Sequence, residues 1–255
     1  MLTTFLLGLT FFTRIPVPGK LNFSEEKFNR APIFLPAYGL ITGGILALII
    51  ELFGRSFPAF FWAGVIIAGQ IYLSGALHID GLLDSLDAIY SNLDREKRLE
   101  ILKDSRVGSM AVAFFGAFLI LKYGSYASFT PKVQAFTVLV SEIILRGTGY
   151  LVIYSFPYVG SSLGRGFKDN ATTAGFIFTL GQTLLFTLGA AAFFNFSLIK
   201  ILIILLLAYL FAFVVAARWQ QFFGGLTGDN YGGIMELTGL FVPVAVLLIN
   251  NIGVV

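Results

Sequence analysis

Apolar runs long enough to cross a lipid bilayer alternate with short polar connections along almost the whole chain. They lie near 33–53, 60–77, 109–129, 134–155, 173–194, 197–217 and 236–250, and most are bounded by glycine, proline, asparagine or charge. An α-helix needs about 20 apolar residues to span the hydrocarbon core. The pattern therefore predicts six or seven transmembrane helices, the last of them short and expected to be tilted or partly re-entrant. Met1 to Thr13 is apolar but too short to cross. It lacks the basic leader and small-residue cleavage site of a removable signal peptide, and is expected to form an interfacial or re-entrant helix. That helix should stop at Arg14-Ile15-Pro16-Val17-Pro18, where two prolines oppose its continuation. No internal repeat is visible. The expected fold is all-α, a polytopic integral membrane helical bundle forming one domain over 1–255.

Composition strengthens this reading. Hydrophobic residues make up 57% of the 255 and charged residues only 12%, about half of the roughly 25% usual in soluble domains. A soluble protein of this size must cover its surface with polar groups, whereas a lipid solvent removes that requirement. There are 28 phenylalanines and no cysteine. The absence of cysteine excludes disulfides, thiolate zinc sites, cysteine-ligated iron–sulfur clusters and a cysteine nucleophile.

The net charge of +3 matters less than its distribution. One set of alternating connections holds twelve basic residues: Arg14, Lys20, Lys27, Arg30, Arg95, Lys97, Arg98, Lys103, Arg106, Arg165, Lys168 and Arg218. The opposite set holds three, Arg55, Lys132 and Lys200, while Lys122 and Arg146 fall inside predicted spans. Cationic loops resist translocation, so the loops near 14–32, 78–108, 156–172 and 218–235 are expected to face the cytoplasm. Of fourteen acids, twelve are expected in those regions or at their helix ends; the exceptions are Glu51 and Glu142. Glu142 lies four residues before Arg146, which predicts an intrahelical ion pair inside a span.

The richest stretch is His78-Ile79-Asp80-Gly81-Leu82-Leu83-Asp84-Ser85-Leu86-Asp87. Spacings of four and three place Asp80, Asp84 and Asp87 on one face of a helix. Three like charges repel, and desolvation at a membrane boundary adds to the cost. A divalent cation removes the problem. Oxygen ligands without cysteine suit Mg2+ or Mn2+, and Mg2+ typically pairs one or two carboxylates with substrate phosphates. The ordinary alternative is a solvated acidic face, which the intervening Ile79, Leu82, Leu83 and Leu86 weaken.

Downstream, Arg95, Lys97 and Arg98 read as topology determinants on a surface helix. In Lys103-Asp104-Ser105-Arg106-Val107-Gly108-Ser109, Asp104 offers a fourth carboxylate. Lys103 and Arg106 offer phosphate ligands, and Gly108 offers close backbone approach; a simple helix cap with basic anchors is the competing reading. Gly224-Gly225-Leu226-Thr227-Gly228-Asp229-Asn230-Tyr231-Gly232-Gly233 contains five glycines and one acid. Gly225, Thr227 and Gly228 can present backbone N–H groups to phosphate and Asp229 can bind metal, against the alternative of a flexible interhelical turn. It is not a Walker A sequence. The single histidine, His78, is a candidate general base or phosphate ligand, although a lone histidine at a helix end is more often structural. Phe156-Pro157-Tyr158 is expected to end a helix, with its aromatics a candidate cleft lining.

Together these stretches resemble the cobalamin synthase family, the adenosylcobinamide-GDP ribazoletransferases. The resemblance is carried by Phe12-Thr13-Arg14-Ile15-Pro16-Val17-Pro18, by His78 to Asp84 with Asp87, by Lys103 to Ser109, and by Gly224 to Asp229, in that order along essentially the whole chain. One departure is Ala88, where the family pattern leads one to expect glycine. The resemblance implies a Mg2+-dependent transfer in the bacterial or archaeal cytoplasmic membrane. Adenosylcobinamide-GDP would be joined to α-ribazole or its 5′-phosphate, giving adenosylcobalamin or its 5′-phosphate and GMP. With phosphoryl-transfer chemistry in view, Asp80, Asp84, Asp87, Asp104 and Asp229 become the expected metal ligands. Asp84, Asp87, His78 and Arg106 become the catalytic candidates, and Lys103, Arg106, Gly225, Thr227 and Gly228 the phosphate contacts. Membrane lipid is an expected partner, nucleic acid is not, and a homo-oligomer is left open.

Two other readings compete. Asp84-Ser85-Leu86-Asp87 resembles the start of the CDP-alcohol phosphotransferase pattern, whose remainder is missing, so a lipid-directed phosphotransferase is the alternative enzyme. A cation-coupled transporter would need carboxylates at mid-membrane depth, and the sequence places only Glu142 there. A purely structural membrane protein would not need so many carboxylates together.

Overall fold

A computed structural model describes residues 1–104 and 106–251. Among these residues the regular structure is helical, with one isolated parallel bridge between Tyr158 and Leu226. The helices are α1 (Leu2–Phe12), α2 (Glu25–Asn29), α3 (Leu35–Phe53, preceded by a 3-10 turn over Ala31–Phe34) and α4 (Ala59–Ser74). They continue with α5 (Leu77–Tyr90), α6 (Arg95–Ile101), α7 (Ser109–Ala127), α8 (Pro131–Ser155) and α9 (Gly164–Asp169). The last three are α10 (Thr173–Phe194), α11 (Leu198–Phe223) and α12 (Gly228–Asn251).

Six of these are long and apolar enough to cross a membrane: α3 with its 3-10 turn, α7, α8, α10, α11 and α12. The expected runs are recovered, with two adjustments. The last span begins at Gly228 rather than near 236, so the second half of the glycine-rich stretch is helix and not loop. The run expected over 60–77 is a 16-residue helix, α4, about 24 Å long at 1.5 Å per residue. It is broken from α5 by a turn of 93°.

Helix ends show how the chain alternates. A Cβ on Gly54, after α3, would meet Pro131 at the start of α8 at 2.8 Å. Gln134 Nε2 donates to the carbonyls of Ala59 and Tyr126 at 2.8 and 2.9 Å. These contacts gather the end of α3, the start of α4, the end of α7 and the start of α8. The opposite end gathers the four basic loops. Arg14 N–H donates to Leu73 O, Leu226 N–H to Pro157 O and Val159 N–H to Leu226 O, each at 2.8 Å. Phe28 packs on Phe167, and Arg95 lies against Gly224. α4 therefore makes a crossing between the two ends, and α5 turns away from it without continuing that crossing.

α8 is the central helix, with 89% of its apolar window buried. Peripheral helices keep large apolar side chains outward, among them Leu48, Ile120, Leu185, Phe193, Leu206 and Leu210. Lipid solvates such surface without cost, while helices satisfy the backbone internally. The Glu142–Arg146 pair forms inside α8 as its spacing requires, with both side chains buried. Glu142 also accepts from Thr42 Oγ1 at 2.7 Å and Gln70 Nε2 at 2.9 Å. Glu236 departs from expectation. It belongs to the buried interior of α12, not to a polar helix end, and pairs with the buried Lys122 of α7 at 3.3 Å. Each of these charges lies in an apolar run and needs a partner, but the two partners are 114 residues apart.

Candidate active site

The site is built where α5 crosses the start of α12. The break before α5 puts both Gly75 and Ala76 in the left-handed region, at φ 63° and 60°. Glycine takes that conformation freely, whereas an L-residue bears about 1–2 kcal/mol. A Cβ at Gly75 would lie 2.3 Å from Arg14 Nε, so the flexible Arg14 side chain would have to move aside.

Small residues then allow two backbones to touch. A Cβ on Gly81 would lie 2.5 Å from the Asp229 carbonyl oxygen, one on Gly232 3.0 Å from His78 Cα, and one on Gly233 2.9 Å from the Trp219 ring and 3.1 Å from Leu82 Cα. Close approach of this kind is how helices associate where lipid removes the hydrophobic drive. Asn230 Nδ2 donates to Ser85 Oγ at 2.9 Å across the same crossing. Asp229 is thereby delivered beside the acidic face of α5.

That face forms as the spacing predicts. Asp80 is exposed and Asp84 and Asp87 are half-buried, while Leu82 and Ser85 behind them are fully buried. Half-burial, and then the charges of Asp80, Asp229 and Asp87, push the Asp84 carboxyl up to about 7. Four carboxylates thus share one field, and among the described residues none of the four forms an ion pair.

The five expected metal ligands divide into two groups. Asp87 accepts the backbone N–H of Gly108 and, at 3.0 Å, that of Ala111, so it caps the start of α7. Any metal bond from Asp87 uses its remaining lone pairs. Gly108 permits this approach, because a Cβ would meet the Asp87 carboxylate at 2.4 Å. Asp104 is paired with Arg106 at 2.6 Å through bonds to both carboxylate oxygens, which hold its carboxyl low, at about 2. Among the described residues, Asp80, Asp84 and Asp229 form no ion pair. Among the described residues no three such groups converge closely enough to enclose a metal by themselves. An open, all-oxygen set of this kind fits Mg2+ completed by water and phosphate oxygens.

The phosphate candidates divide as well. Arg106 and Asp104 line an open cavity of about 330 Å³ together with Asp87, Tyr90 and Gly108. Lys103 is exposed after α6 and does not line that cavity. Thr227 caps α12: its N–H donates to Asn230 Oδ1 at 3.0 Å and its hydroxyl accepts from Asn230 N–H at 3.3 Å. This reciprocal arrangement is a capping box with asparagine at the third position. The N–H is consumed by it and the hydroxyl proton is directed to Asp229 Oδ2 at 3.4 Å, so the expected place of Thr227 among the phosphate contacts has a structural competitor. Gly225 packs against Pro157 and Val159, and Gly228 is the first residue of α12.

His78 is buried, which lowers its pKa to about 4 and keeps the imidazole neutral, the Arg146 charge adding to the effect. It lines a second cavity, of about 220 Å³, on the other flank of Asp229. This cavity, the Lys122–Glu236 pair and the Asn230–Ser85 bond were not foreseen from the sequence. Arg98, read as a solvated charge, stacks over Phe222 at 5.0 Å and helps dock α6 on the end of α11.

Fold and site define a class of protein: a multi-pass helical membrane protein with carboxylates from two crossed helices gathered at one end of the bundle. The chain belongs to the cobalamin-5-phosphate synthase family, whose profile matches residues 4–247. It is 97% identical over 255 residues, the whole of both chains, to the adenosylcobinamide-GDP ribazoletransferase of Carboxydothermus hydrogenoformans. It is 33% identical to the proteins of that name from Fusobacterium nucleatum and Desulfitobacterium hafniense. The matches cover 92% of this chain in each case, and 94% and 92% of those proteins. No solved structure matches it.

Proposed function

We propose that the chain is an adenosylcobinamide-GDP ribazoletransferase, joining adenosylcobinamide-GDP to α-ribazole or its 5′-phosphate and releasing GMP. The observation that carries this is the 97% identity to a protein of that name over both full lengths. The carboxylate cluster at the α5–α12 crossing supports it. A ribose hydroxyl of the acceptor forms the new bond to phosphorus, the pyrophosphate bond breaks, and GMP leaves. The hydroxyl proton passes to a carboxylate of α5 or to the neutral His78. Bound at Asp80, Asp84 and Asp229, Mg2+ would supply the positive charge that the diphosphate and the leaving GMP require. Arg106 at the neighbouring cavity offers the nucleotide a guanidinium. The basic loops gathered at this end argue that it faces the cytoplasm.

Two carboxylates do lie deep in the bundle, as a cation-coupled transporter would need. Each is closed by a cation of the chain, Glu142 by Arg146 and Glu236 by Lys122. This disfavours an ion-coupling role.

The test is GMP release by purified protein from adenosylcobinamide-GDP and α-ribazole, with CDP-linked lipids as the comparison. Wild-type protein is expected to be active with Mg2+ and silent with chelator. Asp84→Asn should lose at least a thousandfold in rate while remaining folded and inserted; wild-type turnover in that variant would remove the metal-site assignment.

A further inference from the structure

Two cavities of opposite character flank the carboxylates. The one near Arg106 is charged and open. The other, of about 220 Å³, is walled mainly by carbon, with Phe11 and Phe12 of α1, Phe167 of α9 and Met235 of α12 among its lining. Phe167 lies 6.0 Å from Phe11 and 5.8 Å from Phe12, so three rings form one side. Gly164, Gly228 and Gly232 expose bare backbone elsewhere in the lining. Asp229 belongs both to this lining and to the field around Asp84. Whatever fills the cavity therefore sits beside Asp229, one of the carboxylates that the transferase reading assigns to the metal.

We propose that this cavity seats the bicyclic base of the ribazole acceptor, which makes its lining the determinant of acceptor specificity. The inference rests on the transferase reading above. Size separates the candidates: pockets for whole drug-sized ligands run to roughly 300–1,000 Å³. This one takes a two-ring base and excludes the corrin macrocycle. Polarity separates the rest. Guanine carries donors and acceptors on its edge that the mainly carbon walls leave unmatched, since the lining's one carboxylate, Asp229, is assigned to the metal and Ser162 is bonded to Tyr158. The dimethylbenzimidazole of ribazole presents an apolar carbocycle and a single free ring nitrogen, an acceptor. Two polar groups of the lining suit that nitrogen: the His78 imidazole, and the Tyr231 hydroxyl, which is buried without a hydrogen-bond partner among the described residues. With the base here, its ribose projects past Asp229 toward Asp84, and the hydroxyl reaches the phosphorus from the flank opposite Arg106. His78 and Tyr231 act on this reading as positioning residues.

Leu77 and Leu163 line the cavity and are 39% and 59% exposed, so both accept larger side chains without overpacking the core. In Leu77→Phe and Leu163→Phe, steady-state GMP release should show the KM for α-ribazole raised at least tenfold. The KM for adenosylcobinamide-GDP should stay within twofold. Wild-type protein should prefer α-ribazole to its unmethylated benzimidazole analogue by about tenfold or more, the usual worth of methyl groups in a fitted apolar pocket. Leu77→Phe should shrink that preference. Calorimetry of α-ribazole binding to metal-free protein should weaken in parallel. KM changes falling instead on adenosylcobinamide-GDP, or equally on both substrates, would overturn the placement alone. No GMP release by the wild type would overturn the transferase reading and this placement with it.

Discussion

Asp84 is the residue on which the electrostatics converge. Its carboxyl is raised to about 7 from the ordinary 3.8 by half-burial and three neighbouring carboxylates. The native state of the metal-free protein therefore holds that proton more tightly than the unfolded chain. It follows that stability falls as pH rises from about 4 to about 7, then levels off. Thermal unfolding in detergent with chelator is expected to give a lower Tm at pH 8 than at pH 5. Asp84→Asn should flatten that difference, and Mg2+ should raise the wild-type Tm at pH 8. An unchanged pH slope in the variant would show that the repulsion lies elsewhere. Asp87 behaves differently although it shares the same helical face. Its carboxylate is tied to the N–H groups that open α7, so its replacement should cost stability as well as activity.

At the scale of elements, the α5–α12 crossing decides whether Asp229 reaches the other carboxylates. Gly81 is the contact that permits it, with backbone only 2.5 Å from where a Cβ would be. Gly81→Ala is expected to push the helices apart and reduce GMP release at least tenfold. Gly181 has open space around its Cβ position. Gly181→Ala should leave activity unchanged and gain up to about 1 kcal/mol in stability from helix propensity. Comparable activity in the two variants would mean that the crossing does not set the site.

At the scale of the whole molecule, buried charge and topology are the testable features. Removing one partner of a buried pair leaves the other uncompensated, so Glu236→Gln is expected to destabilise the bundle by about 3–5 kcal/mol. The double change Lys122→Met with Glu236→Met should recover most of that loss, as read by detergent-induced unfolding. The natural absence of cysteine makes orientation directly measurable. Lys97→Cys should react with a membrane-impermeant maleimide only in inside-out vesicles, and Lys132→Cys only in right-side-out ones. The reverse pattern would put the site on the outer face.

The parts of the molecule were legible to different depths. The spans were readable because lipid imposes a requirement on composition, run by run, that needs no knowledge of neighbours. The acidic face of α5 was readable for a related reason: spacings of four and three act within a single helix, as does the pairing of Glu142 with Arg146. What joins distant segments was not readable. Only the family resemblance grouped Asp229 with Asp84, and nothing local shows that Lys122 closes on Glu236 or that Thr227 spends its N–H on a helix cap. Nor does the pattern around Phe11, Phe12 and Phe167 announce a cavity. Local physics fixed the helices and their charged faces, whereas these contacts depend on which backbones can approach, and only the packed bundle, through glycines 81, 232 and 233, decided that.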